Sequence, residues 1–562
     1  VTIIPAMRQS KLVTIFLCSG LLLPLAPARA QQTNTNRITA EDIAAVEKVL
    51  GLKFADDKNA TLVRALADQL RLLQQIRDYP LSNSVPSALW FNPVPVGFKF
   101  ETERKKVKLS PAPKVKLPVN MDDLAFYSVR DLGELIRTKQ ISSEKLTQFY
   151  LERLKKYGPK LLAVVTLTEE LALEQAKAAD KEIAAGKYRG PLHGIPYGAK
   201  DLLATKGIRT TWGSPPFTNQ VFNEDATVIK RLHDAGAVLV AKLALGELAM
   251  GDRWFAGQTK NPWDPSQGSG GSSAGPGAAT SAGLVAFAIG TETRGSIVDP
   301  STKGGLSALR PTYGRVSRWG AMTLSASNDK IGAMCRSVED CAIVFNAIYG
   351  PDGQDQSIVD APFNYDANVK LKDLRIGYLK ADMDSERGVG KTNDLAVISK
   401  LESLGAKLTP LQLPNFPPQA LNVILEVESA SAFSDMTLNG KVDEMAVQES
   451  WGWPNTFRRA RFVPAVDFLD ANRIRYQLIQ EMAKMFKDID VFVSPSFSGR
   501  CNYLSNQTGY PCVVVPNGMN QRIPSSISFI GNLFGEAKAL ELAKIYQDAT
   551  DHHKKHPDLG KL

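Results

Sequence analysis

The chain has 562 residues, 44% apolar and 22% charged, enough for a large core; its 42 Gly and 33 Pro exclude collagen-like and low-complexity classes. The formal charge is +9, of which Arg8, Lys11 and Arg29 in residues 1–30 supply three; the remaining +6 is modest at this length, and no nucleic-acid partner is expected. Of only five histidines, His552, His553 and His556 crowd the C-terminal end. His193 and His233 alone serve the body, so a His-rich metal centre or a Ser-His-Asp triad has little material.

In chain order, residues 1–30 read as an address. Arg8 and Lys11 precede the apolar run Leu12–Leu25, and Ala28-Arg29-Ala30 supplies a small-x-small cleavage pattern. Cleavage near Ala30, and hence a periplasmic or secreted protein, is the expectation. The run is short for a bilayer and Pro24 interrupts it, so no stable membrane insertion is expected. Residues 31–121 read as an N-terminal helical extension and a Pro/Lys-rich linker. Thr39 and Asp42 cap a first helix carrying Ile43, Val46, Val49 and Leu50; Leu62, Leu66, Leu70, Leu73 and Ile76 mark a second. Prolines from Pro80 to Pro118 then frame a basic run that includes Arg104, Lys105, Lys106 and Lys108.

The body spans 122–550, followed by a basic tail over 551–562. Ser142 and Ser143 open a helix with Leu146, Phe149, Tyr150, Leu154 and Tyr157 on one face. The apolar runs Val238–Ala241, Val285–Ile289, Ile376–Leu379, Val491–Val493 and Val513–Val515 read as buried strands with helical segments between them, which predicts an α/β layer structure. A helical insertion is expected over about 384–486, including Trp451, Trp453 and the basic run Arg458–Arg461. Cys335, Cys341, Cys501 and Cys512 lie in the body. An exported chain permits disulfides, and Cys501–Cys512, flanking a loop, is the better local pair.

Three short segments carry the chemistry. Gly194-Ile195-Pro196-Tyr197-Gly198-Ala199-Lys200-Asp201 ends a strand-like run on a lysine, and burial moves a lysine toward the neutral form that a general base requires. The loop Gln267-Gly268-Ser269-Gly270-Gly271-Ser272-Ser273-Ala274-Gly275 lacks the Lys of a Walker loop, and Ser273 stands where a dinucleotide fingerprint needs Gly. Gly290-Thr291-Glu292-Thr293-Arg294-Gly295-Ser296 follows a buried strand with small residues, as backbone donors approaching a reacting oxygen require.

Together with the run Arg310–Gly320 and the turn Asn506–Pro511, these segments resemble the amidase signature family of serine hydrolases over about 122–550. The resemblance implies a large mixed β-sheet core covered by helices and an amidase that works without metal or organic cofactor. Carried over by position, Ser296 is the nucleophile, Ser272 the bridging serine behind a cis peptide, and Lys200 the base. Backbone N–H groups of Thr293, Arg294 and Gly295 form the oxyanion hole, and Ser273 supports the network. Met250, Trp254 and Phe255 are candidate pocket lining. The expected partners are a small-molecule amide and water; oligomeric state is left open. An ester or carbamate substrate, or a non-catalytic binding protein on the same fold, are the alternatives. A second resemblance, to the same-fold component of tRNA-dependent amidotransferases, is opposed by the apolar leader.

Three positions depart from the family's usual GTDTGGSIR: Glu292 for Asp, Arg294 for Gly and Val298 for Arg. Two readings of Arg294 follow. It pairs with Glu292 in place of the missing Arg at 298, or it selects acidic or polar acyl groups.

Overall fold

The computed structural model describes residues 38–496 and 500–562, so the expected signal segment lies outside the described residues. Two compact units divide at Pro80 and Leu81.

In the first unit, helices Ala40–Leu50 and Asp56–Asp78 form as the pattern predicts. Thr39 Oγ1 accepts from Asp42 N at 3.2 Å while Asp42 Oδ2 accepts from Thr39 N at 2.9 Å, a reciprocal capping box. Gly51, at φ 67°, ends the helix in the left-handed region. Glu47 joins the two helices by accepting from Asn59 Nδ2 at 3.1 Å. Leu70, Leu73 and Ile76 of the predicted apolar face are exposed within this unit.

Among the described residues the second unit has thirteen strands, eleven of them in one sheet. They are β1 (Val164–Leu167), β2 (Pro196–Lys200), β3 (Val238–Leu243), the short hairpin β4 (Arg253–Trp254) and β5 (Gly257–Gln258), β6 (Phe287–Glu292), β7 (Ser307–Arg310), β8 (Lys330–Cys335), β9 (Ile376–Leu379), β10 (Leu408–Leu411), β11 (Val491–Pro495), β12 (Cys512–Asn520) and β13 (Ile523–Gly531). The sheet order is β1-β3-β2-β6-β8-β7-β12-β13-β11-β9-β10. Parallel pairs β3/β2/β6 and β11/β9/β10 flank an antiparallel centre, so the sheet is mixed, as expected. Strands β2, β3, β6 and β8 are buried at every position, so they read as runs of mostly apolar and small residues rather than as alternation, and the charged residues they carry, Lys200, Lys242, Glu292 and Lys330, are buried with them.

The stretch 384–486 is not wholly helical. Leu408–Leu411 forms edge strand β10 beside β9, a short half-exposed strand with Pro410 inside it, and Pro suits an edge. The Cys501–Cys512 pair, which the sequence offered as the better local one, is not joined. All four body cysteines are free and buried; Cys501 lies on helix Arg500–Gln507 and Cys512 opens β12, so the intervening residues are helix and turn rather than an open loop.

Residues read as linker pack on this unit: Asn83 exchanges hydrogen bonds with Thr323 N and O at 2.9 and 2.8 Å, and Lys108 pairs with Asp366 at 2.9 Å. The tail is docked as well, with His556 stacked on Phe126 at 3.9 Å. His193 is buried and accepts from Arg189 N at 3.1 Å, a loop-bracing role. Among the described residues, no helix is long and apolar enough to cross a membrane.

Candidate active site

Neighbouring parallel strands β2 and β6 run in register from Tyr197↔Phe287 to Ala199↔Ile289, so Lys200 and Thr291 emerge together at their carboxyl ends. Open α/β sheets place ligands at such strand ends. The glycine-serine loop crosses the same end before helix Ala274–Ser281 begins.

Lys200 is fully buried. Its Nζ lies 2.8 Å from Ser272 Oγ, 2.9 Å from Thr291 Oγ1, 3.1 Å from Ser273 Oγ and 3.4 Å from the Thr291 carbonyl oxygen. Every partner is a neutral oxygen. Burial therefore dominates and brings its pKa down to about 7, against a smaller upward pull from the more distant Asp329 and Glu292 carboxylates. Ser273 completes the bracket, donating to Thr291 O at 3.0 Å and accepting from Thr291 N at 3.1 Å.

The peptide bond Gly271–Ser272 is cis. Only glycine fits at 271, because a Cβ there would sit 1.8 Å from the Gly251 carbonyl oxygen. Gly271 N donates to Asp299 Oδ2 at 2.9 Å and Gly270 N to Asp252 Oδ2 at 3.1 Å, so two carboxylates hold the loop from outside.

Ser273 N donates to the Ser296 carbonyl at 3.1 Å, which sets the two serine loops side by side. Ser296 is 7% exposed, and among the described residues its Oγ makes no hydrogen bond. The backbone N–H groups of Thr293, Arg294, Gly295 and Ser296 likewise meet no acceptor among the described residues. Gly295, at φ 83°, turns the chain through this run of free donors.

Glu292 shapes the loop from beneath. Its Oε2 accepts from Ile297 N at 2.8 Å and Val298 N at 3.0 Å; its Oε1 accepts from Arg310 Nη1 and Asn506 Nδ2, both at 2.8 Å. Burial alone raises the Glu292 pKa, but the Arg310 charge and these donors outweigh it and hold the carboxyl at about 2. Arg310 also donates to Ser505 Oγ at 3.0 Å and Tyr510 O at 2.9 Å, so the Arg310 run and the Asn506–Pro511 turn converge on one carboxylate. Asp329 holds the other shoulder, accepting from Thr293 Oγ1 at 2.6 Å and from Leu324 N and Ser325 N at 2.8 and 2.9 Å.

The expected Arg294–Glu292 pair is not formed, because Arg310 has taken that carboxylate. Arg294 instead reaches outward, donating to Asn422 Oδ1 with its guanidinium 5.2 Å from the Tyr503 ring centroid. Of the candidate lining residues, Met250 belongs to a segment that touches the serine loop: Gly246 N donates to Ser272 O at 3.2 Å. Leu248 and Ala249 in that segment hold φ of 44° and 64°, a strained conformation for non-glycine residues beside the site. Trp254 is 5% exposed and packs edge-on against Phe255 at 4.7 Å, so its ring is occupied within its own hairpin. Sequence reading assigned no role to Thr291, Asp299, Arg310 or Asp329. Thr291 had a signal, since it lies in the same loop as Ser296, and Arg310 had one, since it opens the run Arg310–Gly320; Asp299 and Asp329 are identified only by contact.

A buried lysine without a counter-ion, under paired serines and beside a run of free amides, is an arrangement suited to activating a hydroxyl. The chain belongs to the amidase family, whose sequence profile, described as Amidase, matches residues 145–514. That membership places it among enzymes acting on carbon–nitrogen bonds. It is 33% identical to a glutamyl-tRNA(Gln) amidotransferase component from Coxiella burnetii over 479 residues, covering 77% of this chain and 99% of that one. The fold matches the native peptide amidase of Stenotrophomonas maltophilia with a TM-score of 0.69 at 29% identity, over 77% of this chain and 98% of that one. An amidase family protein from Bacillus anthracis matches with a TM-score of 0.69 at 26% identity, over 78% and 95%.

Proposed function

We propose that the protein hydrolyses a linear carboxylic amide through Lys200, Ser272 and Ser296. The observation that carries this reading is the 2.8 Å contact between Ser272 Oγ and a buried Lys200 that has only neutral partners and a pKa near 7. Neutral Lys200 takes the proton of Ser272 as Ser272 takes that of Ser296. Ser296 Oγ attacks the carbonyl carbon, and the free N–H groups of the 293–296 loop receive the oxyanion. Collapse breaks the C–N bond while the relay returns the proton to the leaving amine. Water then adds to the acyl-enzyme by the same relay and releases the acid.

The test is fluorophosphonate labelling with peptide mapping, together with Ser296→Ala. The adduct is expected on Ser296, and hydrolysis of a generic anilide should fall by about four orders of magnitude or more in a folded protein. Activity within a few-fold of wild type would remove Ser296 as nucleophile, and no activity in the parent protein would favour a binding role. A panel of amides, esters and carbamates ranks the leaving groups. The identity to an amidotransferase component favours a second reading, as part of a larger assembly; amide turnover by the isolated chain decides against it. Export remains part of the proposal, supported by the leader pattern, and N-terminal sequencing of periplasmic material should begin at Gln31.

A further inference from the structure

We infer that Arg294 is a carboxylate anchor at the rim of the oxyanion loop, selecting substrates that carry an anionic group beside the scissile amide. This rests on the amidase reading of the same site. Arg294 lies two residues from Ser296, so their backbones are at most about 7 Å apart.

The surroundings leave its charge unspent. The nearest acid in sequence, Glu292, is fully buried and committed to Arg310, Asn506 and two backbone amides. The acid one turn along helix Asn422–Ala432, Glu426, pairs with Arg459 at 2.7 Å. Among the described residues Arg294 forms no salt bridge. What holds it is neutral: the Asn422 side-chain oxygen and the face of Tyr503. Those two contacts fix the direction of an exposed guanidinium while sparing most of its five N–H donors. An oriented cation with unused, forked donors binds a carboxylate in bidentate fashion, and its planar geometry distinguishes it from a lysine. The carboxylate can sit on the acyl group or on the leaving amine; both present the same chemistry to Arg294.

The experiment uses the full chain and matched probes. Succinanilic acid carries the carboxylate on the acyl side, 4-acetamidobenzoic acid carries it on the amine side, and the methyl ester of each removes the charge. In the parent protein, kcat/KM should favour one acid over its ester by about 10- to 100-fold, the range of one charge-assisted hydrogen-bond pair. Arg294→Gln should collapse that ratio, and Arg294→Lys should restore it in part. An acid-to-ester ratio unchanged by Arg294→Gln overturns the proposal. Calorimetric binding of the same acids to Ser296→Ala protein separates this from the amidase reading. Arg294-dependent binding without turnover in the parent keeps the anchor and discards the hydrolase; turnover with an Arg294-independent ratio does the reverse.

Discussion

Two buried lysines on adjacent strands sit in opposite electrostatic settings. Lys200 ends β2 and Lys242 lies in β3, paired across the strands with Ala199. Both are wholly buried. Lys242 meets Asp201 at 3.0 Å and Thr210 Oγ1 at 2.6 Å, and Asp201 is itself anchored by Thr211 N and Oγ1 at 2.8 and 2.6 Å. Burial pulls the Lys242 pKa down, and the touching carboxylate opposes it. Lys200 has no carboxylate in contact, because Asp329 serves Thr293 and two amides while Glu292 serves Arg310. Burial supplies the same push in both places. A carboxylate in contact makes a strut; withholding it leaves an amine able to accept a proton.

Breaking each lysine in turn separates the roles. Lys200→Met should lower kcat by about three to four orders of magnitude, within the range of lost general-base and nucleophile activation, while the melting transition survives. Lys242→Met leaves Asp201 buried without a counter-charge and should destabilise the fold by about 3–5 kcal/mol in urea unfolding. Adding Asp201→Asn should recover part of that loss, because the stranded charge is gone. If Lys242→Met were as inactive per folded molecule as Lys200→Met, the contrast between strut and base would fail.

Only the Lys200 side of this contrast was readable in the sequence, and the unread part has a physical reason. Lys200 ends a short strand-like run, Ser272 and Ser296 sit in loops whose small residues announce close backbone approach, and β3, β6 and β11 announced themselves as apolar runs. The Thr39–Asp42 cap was local and therefore visible. Pairings across the chain were not: Arg310 meets Glu292 from 18 residues away, Asn506 from 214, and Arg294 meets Asn422 across 128. Nothing in the local pattern says which arginine wins a carboxylate, so Arg294 was offered Glu292 when Arg310 already filled it. Edge strand β10 was lost for a related reason: four half-exposed residues with a proline carry no periodicity to read.

Glu292 extends the comparison to a second buried ion pair, with Arg310, a strut placed directly under the 293–296 loop. Glu292→Asp restores the family's usual residue but shortens the reach to Ile297 N, Val298 N and Arg310 together. Displacement of the loop by part of an ångström should lower kcat about tenfold for every substrate alike. That uniformity sets it apart from Arg294→Gln, which should change the ranking. Steady-state kinetics on the acid and ester probes read both variants, and a Glu292→Asp protein with altered ranking would merge the two roles.

The last expected effect is the most specific to Lys200. Its folded pKa of about 7 lies below the unfolded lysine value of about 10.4. Below pH 7 both states hold the proton, and the folded state bears the full penalty of a buried charge. Between about 7 and 10.4 the unfolded chain binds the proton and the folded chain does not, so stability rises with pH, by up to about 1.4 kcal/mol per unit for one site. Above that window neither state is charged and the slope vanishes. Lys242 and Lys330 are also depressed by burial and add slope of the same sign, but they persist in a Lys200→Met protein. The difference in urea-unfolding free energy between wild type and Lys200→Met, followed from pH 7 to 10, therefore isolates Lys200. In the proposed mechanism the same proton governs the rate: kcat/KM should climb about tenfold per unit below pH 7 and level off above it. A rate limb near pH 7 without the matching stability slope would move the titrating base to another residue; both together, absent from Lys200→Met, would assign it to this lysine.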